Sequence, residues 1–165
     1  VGAPVLRIVG GQVPEGVRRD QAIGVVAEAL TALADQAKDR GVTLCMETHD
    51  HWCDPAHVAA VLGRVDHPNV ACNWDILHPL RVAGATIESS FETLRPWIRH
   101  LHVHDGVWNE KLEMVPIGTG KVDHRKAIEL LQTIDYDGYI SGEWINWTPP
   151  EEHLPREVKT LRSYE

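Results

Sequence analysis

The sequence predicts an α/β fold of (β/α)-barrel type, and three observations carry that expectation. Strand-like and helix-like segments alternate along the chain, the order that gives a parallel sheet covered by helices. Four residues with metal-binding side chains, Glu47, Asp75, His102 and Glu143, close four successive strand-like runs. Their spacings are 28, 27 and 41 residues, against about 30 per βα unit in a barrel of roughly 250 residues and eight units. The C-terminal ends of parallel barrel strands share one face. Three carboxylates and one imidazole converging there would make a divalent cation site.

Each element has its own signal. Val5-Leu-Arg-Ile-Val9 is a short apolar run closed by Gly10-Gly11. A long helix is expected over 15–39, because Ile23, Val26, Leu30, Leu33 and Ala37 step by 3, 4, 3 and 4 as one buried stripe. Gly41 stops it. The run Thr43–Glu47 follows as a strand. Asp54-Pro55 then offers a cap and a first-turn proline for a helix to about Val65. The Val70–Asp75 run leads to a loop at His78-Pro79 and a helix that ends before Pro96. A fourth strand spans Ile98–Val103, followed by a long loop through Gly118-Thr-Gly120. Asp123 can cap a helix to Ile134, with Ile128, Leu130 and Leu131 on its apolar side. Tyr136-Asp-Gly138 turns into a fifth strand over 139–143, and Pro149-Pro150-Glu151 opens a last helix.

Five strands do not close an eight-stranded barrel. The chain is expected to be the C-terminal five units of a barrel, or a half-type barrel that covers its open edges by association. It begins at Val1 without Met, which agrees with a missing N-terminal part. A doubly wound open sheet is the structural alternative. It is weakened because Gly10-Gly11 runs into Gln12-Val13-Pro14 and not into GxGxxG.

Composition narrows the function classes. Hydrophobic residues make up 43 % of the 165 residues and charged residues 24 %, as in an ordinary globular domain. The net charge of −8 argues against a nucleic-acid partner. No apolar run nears the roughly 20 residues of a membrane span. Three cysteines are an odd number, and Cys45 and Cys72 lie inside apolar strand runs. They read as buried thiols of a reducing compartment, hence an expected cytoplasmic location.

Five segments in order carry a family resemblance: ETHDHW (47–52), NWDILHP (73–79), HLHVHD (100–105), PIGTGKVDHRKAI (116–128) and YDGYISGEW (136–144). Together they resemble the xylose isomerase-like TIM-barrel superfamily of sugar phosphate isomerases and epimerases. The resemblance implies that residues 1–165 are the C-terminal part of one such domain, equivalent to strands four to eight. It places the metal ligands on Glu47, Asp75, His102 and Glu143, and the acid/base roles on Glu47 and Glu143. His102 is chosen over His100 and His104 by its His-x-x-Asp spacing to Asp105. His78, three residues after Asp75, matches a substrate-oxygen contact. His49 lies two residues after Glu47, and its reading stays open between a contact near the site and a solvated position. Trp108 is a further candidate for substrate stacking, with core packing the alternative. Gly118-Thr-Gly120 could approach a phosphate with backbone N–H groups or be only a tight turn.

Three oxygen ligands and one nitrogen suit Mn²⁺ or Mg²⁺, with Co²⁺ or Zn²⁺ as further candidates. The expected substrate is a small polyhydroxy carbonyl compound, isomerised or epimerised through a cis-enediolate with the two glutamates as acid and base. An inosose-type dehydratase on the same scaffold, and a non-catalytic sugar- or metal-binding fragment, are the alternatives. Two departures from the resemblance matter. The ketose 3-epimerases carry an Arg shortly after the strand-seven histidine, where this chain has Asp105-Gly-Val-Trp-Asn-Glu110. Endonuclease IV carries an Asp-x-His before its Ile-Gly turn, where this chain has Leu112 and Met114. The first makes a 3-epimerase assignment unsafe, and the second argues against DNA repair.

Overall fold

A computed structural model describes residues 2–165. Five parallel strands form one sheet in the order β1 (Val5–Ile8), β2 (Thr43–Glu47), β3 (Val70–Asp75), β4 (Ile98–Val103) and β7 (Ile140–Gly142). Helices α1 (Arg19–Asp39), α2 (Pro55–Val65), α3 (Ile87–Leu94), α4 (His124–Gln132) and α5 (Pro150–Arg162) alternate with them. The strand order is sequential, as in a barrel, and not doubly wound about a central strand.

Local chemistry explains most boundaries. The Asp54 carboxylate accepts from the Ala56 N–H at 2.9 Å and Pro55 opens α2. Thr86 and Ser89 cap α3 reciprocally. Asp123 accepts from Lys126 N at 2.9 Å at the start of α4. Gly41, at φ 64°, takes the left-handed position just beyond α1.

Strand alternation divides the side chains between two faces. Leu44, Met46, Val70, Cys72, Trp74, Leu101 and Val103 join the core shared with the helices. Glu47, Asn73, Asp75 and His102 take the other parity and face the inside of the curve. Parallel register aligns their ends: Glu47 pairs with Asn73, Asp75 with His102, and Val103 with Gly142.

Three expectations are corrected. The long helix begins at Arg19 and not at 15, because Glu15 and Gly16, the latter at φ 78°, form a turn closed by Val17 N–H donating to Pro14 O at 3.2 Å. Its buried stripe is Ala22, Ile23, Ala27, Leu30, Ala34 and Ala37; Leu33 lies outside it and is 46 % exposed. The stretch after Val103 is not a plain loop but an antiparallel hairpin, β5 (Asp105–Trp108) with β6 (Leu112–Val115).

Both outer strands, β1 and β7, have one partner each. Exposed apolar residues collect on the same two flanks: Leu6, Val25 and Leu33 on one, Tyr139, Leu154 and Val158 on the other. Unpaired strand edges invite association. We therefore propose that the chain, as it stands, is a dimer or higher oligomer, or works as part of a longer polypeptide. Sedimentation at micromolar concentration should show self-association; a well-folded monomer with cooperative unfolding would contradict this.

Candidate metal and acid/base site

The sequence-predicted ligands meet. One ligand atom from each of Glu47, Asp75, His102 and Glu143 lies within 4.8 Å of all the others. Glu47 ends β2, Asp75 ends β3, His102 lies in β4 and Glu143 follows β7. His102 Nδ1 is 2.6 Å from Glu47 Oε1 and 3.4 Å from Glu143 Oε2. These atoms approach closely, yet His102 Nδ1, Glu143 Oε2 and Asp75 Oδ2 are buried without a hydrogen bond of acceptable geometry. Neighbouring ligands on an ion with bonds near 2.0–2.2 Å sit about 3 Å apart. Buried lone pairs aimed at one another without hydrogen bonds therefore fit a cation between them, and three carboxylates with one imidazole fit a hard divalent ion.

The surrounding groups hold the ligands in place. Asp75 Oδ1 accepts from the N–H groups of Leu77 at 2.8 Å and His78 at 3.1 Å. The Thr48 hydroxyl both accepts from Asp75 N and donates to Asp75 O, each at 2.9 Å. Asn73 Nδ2 donates to Glu47 Oε1 at 3.3 Å. The three histidines share one parity and differ in their position along the segment. His100 reaches Ser141 Oγ at 2.9 Å deeper in the curve, His102 joins the carboxylates, and His104 Nε2 lies 3.0 Å from Asp75 Oδ2.

His49, His78 and His104 line a cavity of about 220 Å³ together with Glu143, Leu112, Met114 and Ile145. His49 and His78 meet edge to face with centroids 4.5 Å apart. Trp108 is not in this wall. It lies at the far end of β5, where Lys121 sits over its ring at 5.1 Å, beside a larger groove of about 540 Å³ that holds none of the four ligands. The hairpin displaces it: Leu112 and Met114 of the returning strand face the cavity. The Gly118-Thr-Gly120 turn is not free to cradle a phosphate. Its N–H groups at Gly118 and Gly120 both donate to the buried Asp105 carboxylate at 2.9 Å.

Sequence reasoning missed Arg7. Its side chain, 37 % exposed, donates from Nε to Glu47 Oε2 at 2.5 Å and places Nη2 3.1 Å from Glu143 Oε1. The available signal was a charge in the middle of a four-residue apolar strand. His104 was legible only as a rival register for His102.

Charges shift accordingly. Burial opposes the charged form of His102, but the nearby Glu143 and Glu47 carboxylates outweigh it and raise its pKa to about 9. Burial likewise opposes Asp75 ionisation, but His104 and His78 outweigh it and lower its pKa to about 2. Contact with His102 is the main influence that holds Glu143 below the usual carboxylate range; burial opposes it and Arg7 assists. His78 is lowered, chiefly by burial.

A family model described as xylose isomerase-like TIM barrel matches residues 1–164, and the chain belongs to that family. A 3-dehydroshikimate dehydratase of Bacillus anthracis is 33 % identical over 117 residues, covering 61 % of this chain and 40 % of that protein. A protein of Xenopus laevis, provisionally named hydroxypyruvate isomerase, is 24 % identical over 156 residues, covering 87 % and 55 %. The chain thus spans about half the length of these curated relatives. Among solved structures, a Bacillus anthracis protein described as the probable 3-DHS dehydratase of petrobactin synthesis superposes with a TM-score of 0.80 at 24 % identity, covering 96 % of this chain and 63 % of that one. A D-tagatose 3-epimerase-like protein gives 0.78 at 22 %, covering 97 % and 61 %. A family protein of Mycobacterium smegmatis in complex with magnesium gives 0.72 at 21 %, covering 93 % and 53 %. These likenesses establish the barrel fold, of which this chain is a five-stranded part. Among the described residues, no helix is long and apolar enough to cross a membrane.

The shifted groups set a pH dependence for the metal-free chain. His102, raised from 6.5 to about 9, contributes stability that is complete below 6.5 and lost as the pH climbs through 9. Asp75, lowered from 3.8 to about 2, contributes stability present above 3.8 and lost as the pH falls through 2. Denaturation midpoints should fall at both ends; His102→Asn should flatten the alkaline limb and, because His102 also lowers Glu143, soften the acid limb while the Asp75 share of it remains. An unchanged alkaline limb in that variant would contradict the charged His102.

Proposed function

We propose that this chain carries the metal-binding and acid/base part of an isomerase or epimerase acting on a small sugar or sugar phosphate. One observation supports the reading above all: Glu47 and Glu143, from strands separated by two others, flank His102 and share Arg7. Bound between the four ligands, Mn²⁺ or Mg²⁺ would polarise a carbonyl and its neighbouring hydroxyl. One glutamate then takes the proton from the carbon beside the carbonyl, leaving a cis-enediolate, and the other returns a proton. Return to the opposite face of the same carbon gives epimerisation; return to the adjacent carbon gives isomerisation. Glu143, held below the usual carboxylate range, is ionised at neutral pH and ready to accept. Arg7 steadies the charge of both glutamates. His49 and His78, on the cavity wall, would hold substrate oxygens.

A second reading has a specific observation behind it. Three imidazoles, those of His49, His78 and His104, line the cavity beside Glu143, and the 33 % identical relative is a dehydratase. After the same proton abstraction, an imidazolium could protonate a hydroxyl one carbon further on. That hydroxyl would leave as water, and a carbon–carbon double bond would remain.

A panel of ketoses, hydroxypyruvate and 3-dehydroshikimate, followed by NMR in D₂O with each metal, separates the readings. Isomerase or epimerase action should place deuterium on the carbon beside the carbonyl without loss of water. Glu143→Gln should lower turnover by about 10²–10⁴-fold while the fold is kept, because an amide cannot accept the proton. Loss of water from 3-dehydroshikimate would instead establish the dehydratase reading. Interconversion with no exchange would contradict the two-glutamate scheme, and no reaction under any metal would favour the binding-fragment alternative.

A further inference from the structure

We infer, resting on the reaction proposed above, that the substrate carries no phosphate group, because every place where this fold would grip one is already filled from within the chain. Barrels of this type often hold phosphate with the loops after strands seven and eight and with a helix N-terminus there. On the equivalence with strands four to eight expected from the sequence, those strands are β4 and β7. The loop after β4 contains the Gly118-Thr-Gly120 turn, whose N–H groups have the chemistry to bind an anion. They already bind one. The fully buried Asp105 carboxylate accepts from four N–H groups: Gly106 at 2.8 Å and Val122 at 3.2 Å on Oδ1, Gly118 and Gly120 at 2.9 Å each on Oδ2. Asp105 sits so close to the turn that a Cβ on Gly120 would overlap its carboxylate.

The helix N-termini beyond these loops are closed to phosphate as well. At α4 the Asp123 carboxylate takes the Lys126 N–H at 2.9 Å. At α5 the chain enters through Pro149 and Pro150, which have no N–H to offer, and Glu151 and Glu152 occupy the first turn. The cations near the turn are committed elsewhere. Lys121 Nζ donates to Trp108 O at 2.7 Å, and Arg125 lies over the Tyr164 ring at 4.6 Å. Arg7 is spent on Glu47 and Glu143. The cavity itself faces the hairpin with Leu112 and Met114, and the loop after β7 with Ile145; among its described lining residues none is Lys or Arg. Leu112 cannot easily withdraw, since it lies directly over Gly106, where a Cβ would come within 2.5 Å of its Cδ1. A phosphate ester carries about −1.5 to −2 charges at neutral pH. Against this wall it would lose water and gain no counter-charge, beside the Glu143 carboxylate. A hydroxymethyl group or a run of CH groups meets no such penalty. Leu112 and Met114 are thus specificity-determining residues that favour the free polyhydroxy carbonyl compound over its phosphate ester.

Two measurements test this. In the first, inorganic phosphate at millimolar concentration is titrated into the metal-free chain at matched ionic strength, read by its ³¹P line width and by the thermal midpoint. No saturable binding and no rise in midpoint are expected. Asp105→Gly vacates the four N–H groups and should gain both. Saturable phosphate binding by the unaltered chain would overturn the inference, as would a folded Asp105→Gly chain indifferent to phosphate. The unaltered chain decides the matter if that variant does not fold. In the second, the Mn²⁺-loaded chain is offered each ketose beside its terminal phosphate ester in D₂O. Deuterium should enter the free ketose, and the ester should neither react nor compete; an ester with the higher kcat/KM would overturn the inference. If neither compound reacts, the proposed reaction fails, and the phosphate titration still decides whether the chain grips phosphate.

Discussion

Asp75 faces His102 across the β3–β4 ladder, and that pairing sets the height at which the site forms. The strand interiors on either side repeat the arrangement. Glu47 pairs with Asn73 on one side and Glu143 follows the Val103–Gly142 pair on the other. A slip of one residue in any strand would turn its ligand away from the inside of the curve and into the helix-facing core. The hydrophobic parity of Leu44, Met46, Cys72, Trp74, Leu101 and Val103 prevents such a slip, because these side chains have their places among the helices. Core packing and site geometry are thus two faces of one register.

The cluster also has an electrostatic problem that its neighbours address. Two like charges 4 Å apart repel by about 4 kcal/mol at an effective dielectric near 20. Three carboxylates gathered within 4.8 Å would oppose folding unless positive charge lies among them. Arg7 contacts Glu47 and Glu143, His102 sits between the same two, and His104 lies against Asp75. A protonated His102 does in the metal-free chain part of what a cation would do. On the proposed reading, His102 must lose its proton before it can bind metal.

Much of this was legible in the sequence because strand ends and capping residues are local signals. Thr43–Glu47, Val70–Asp75 and Ile98–Val103 lie where their apolar runs predicted, and Asp54 and Asp123 cap the helices that follow them. The four-ligand set followed from those ends. What escaped depended on partners distant in the chain. Arg7 acquires its role only by reaching 40 residues ahead to Glu47. Leu33 fits a helical stripe by period, but the stripe that packs runs through Ala27, Ala34 and Ala37 and leaves Leu33 exposed. The β5–β6 hairpin has short strands of mixed polarity, and with it went the placement of Trp108 and the apolar wall of Leu112 and Met114. The Gly118–Gly120 turn looked open to an anion because the carboxylate that fills it, Asp105, lies 13 residues earlier.

We propose that Glu47, Asp75, His102 and Glu143 act as one ligand set. Anomalous diffraction at the manganese edge, from crystals grown with Mn²⁺, tests it most directly. A single strong manganese peak is expected about 2.0–2.6 Å from a side-chain atom of each of the four residues, the ordinary range for such bonds. A manganese ion held by His100 or His104 in place of His102, or the four side chains standing more than about 6 Å apart around it, well beyond that range, would contradict it.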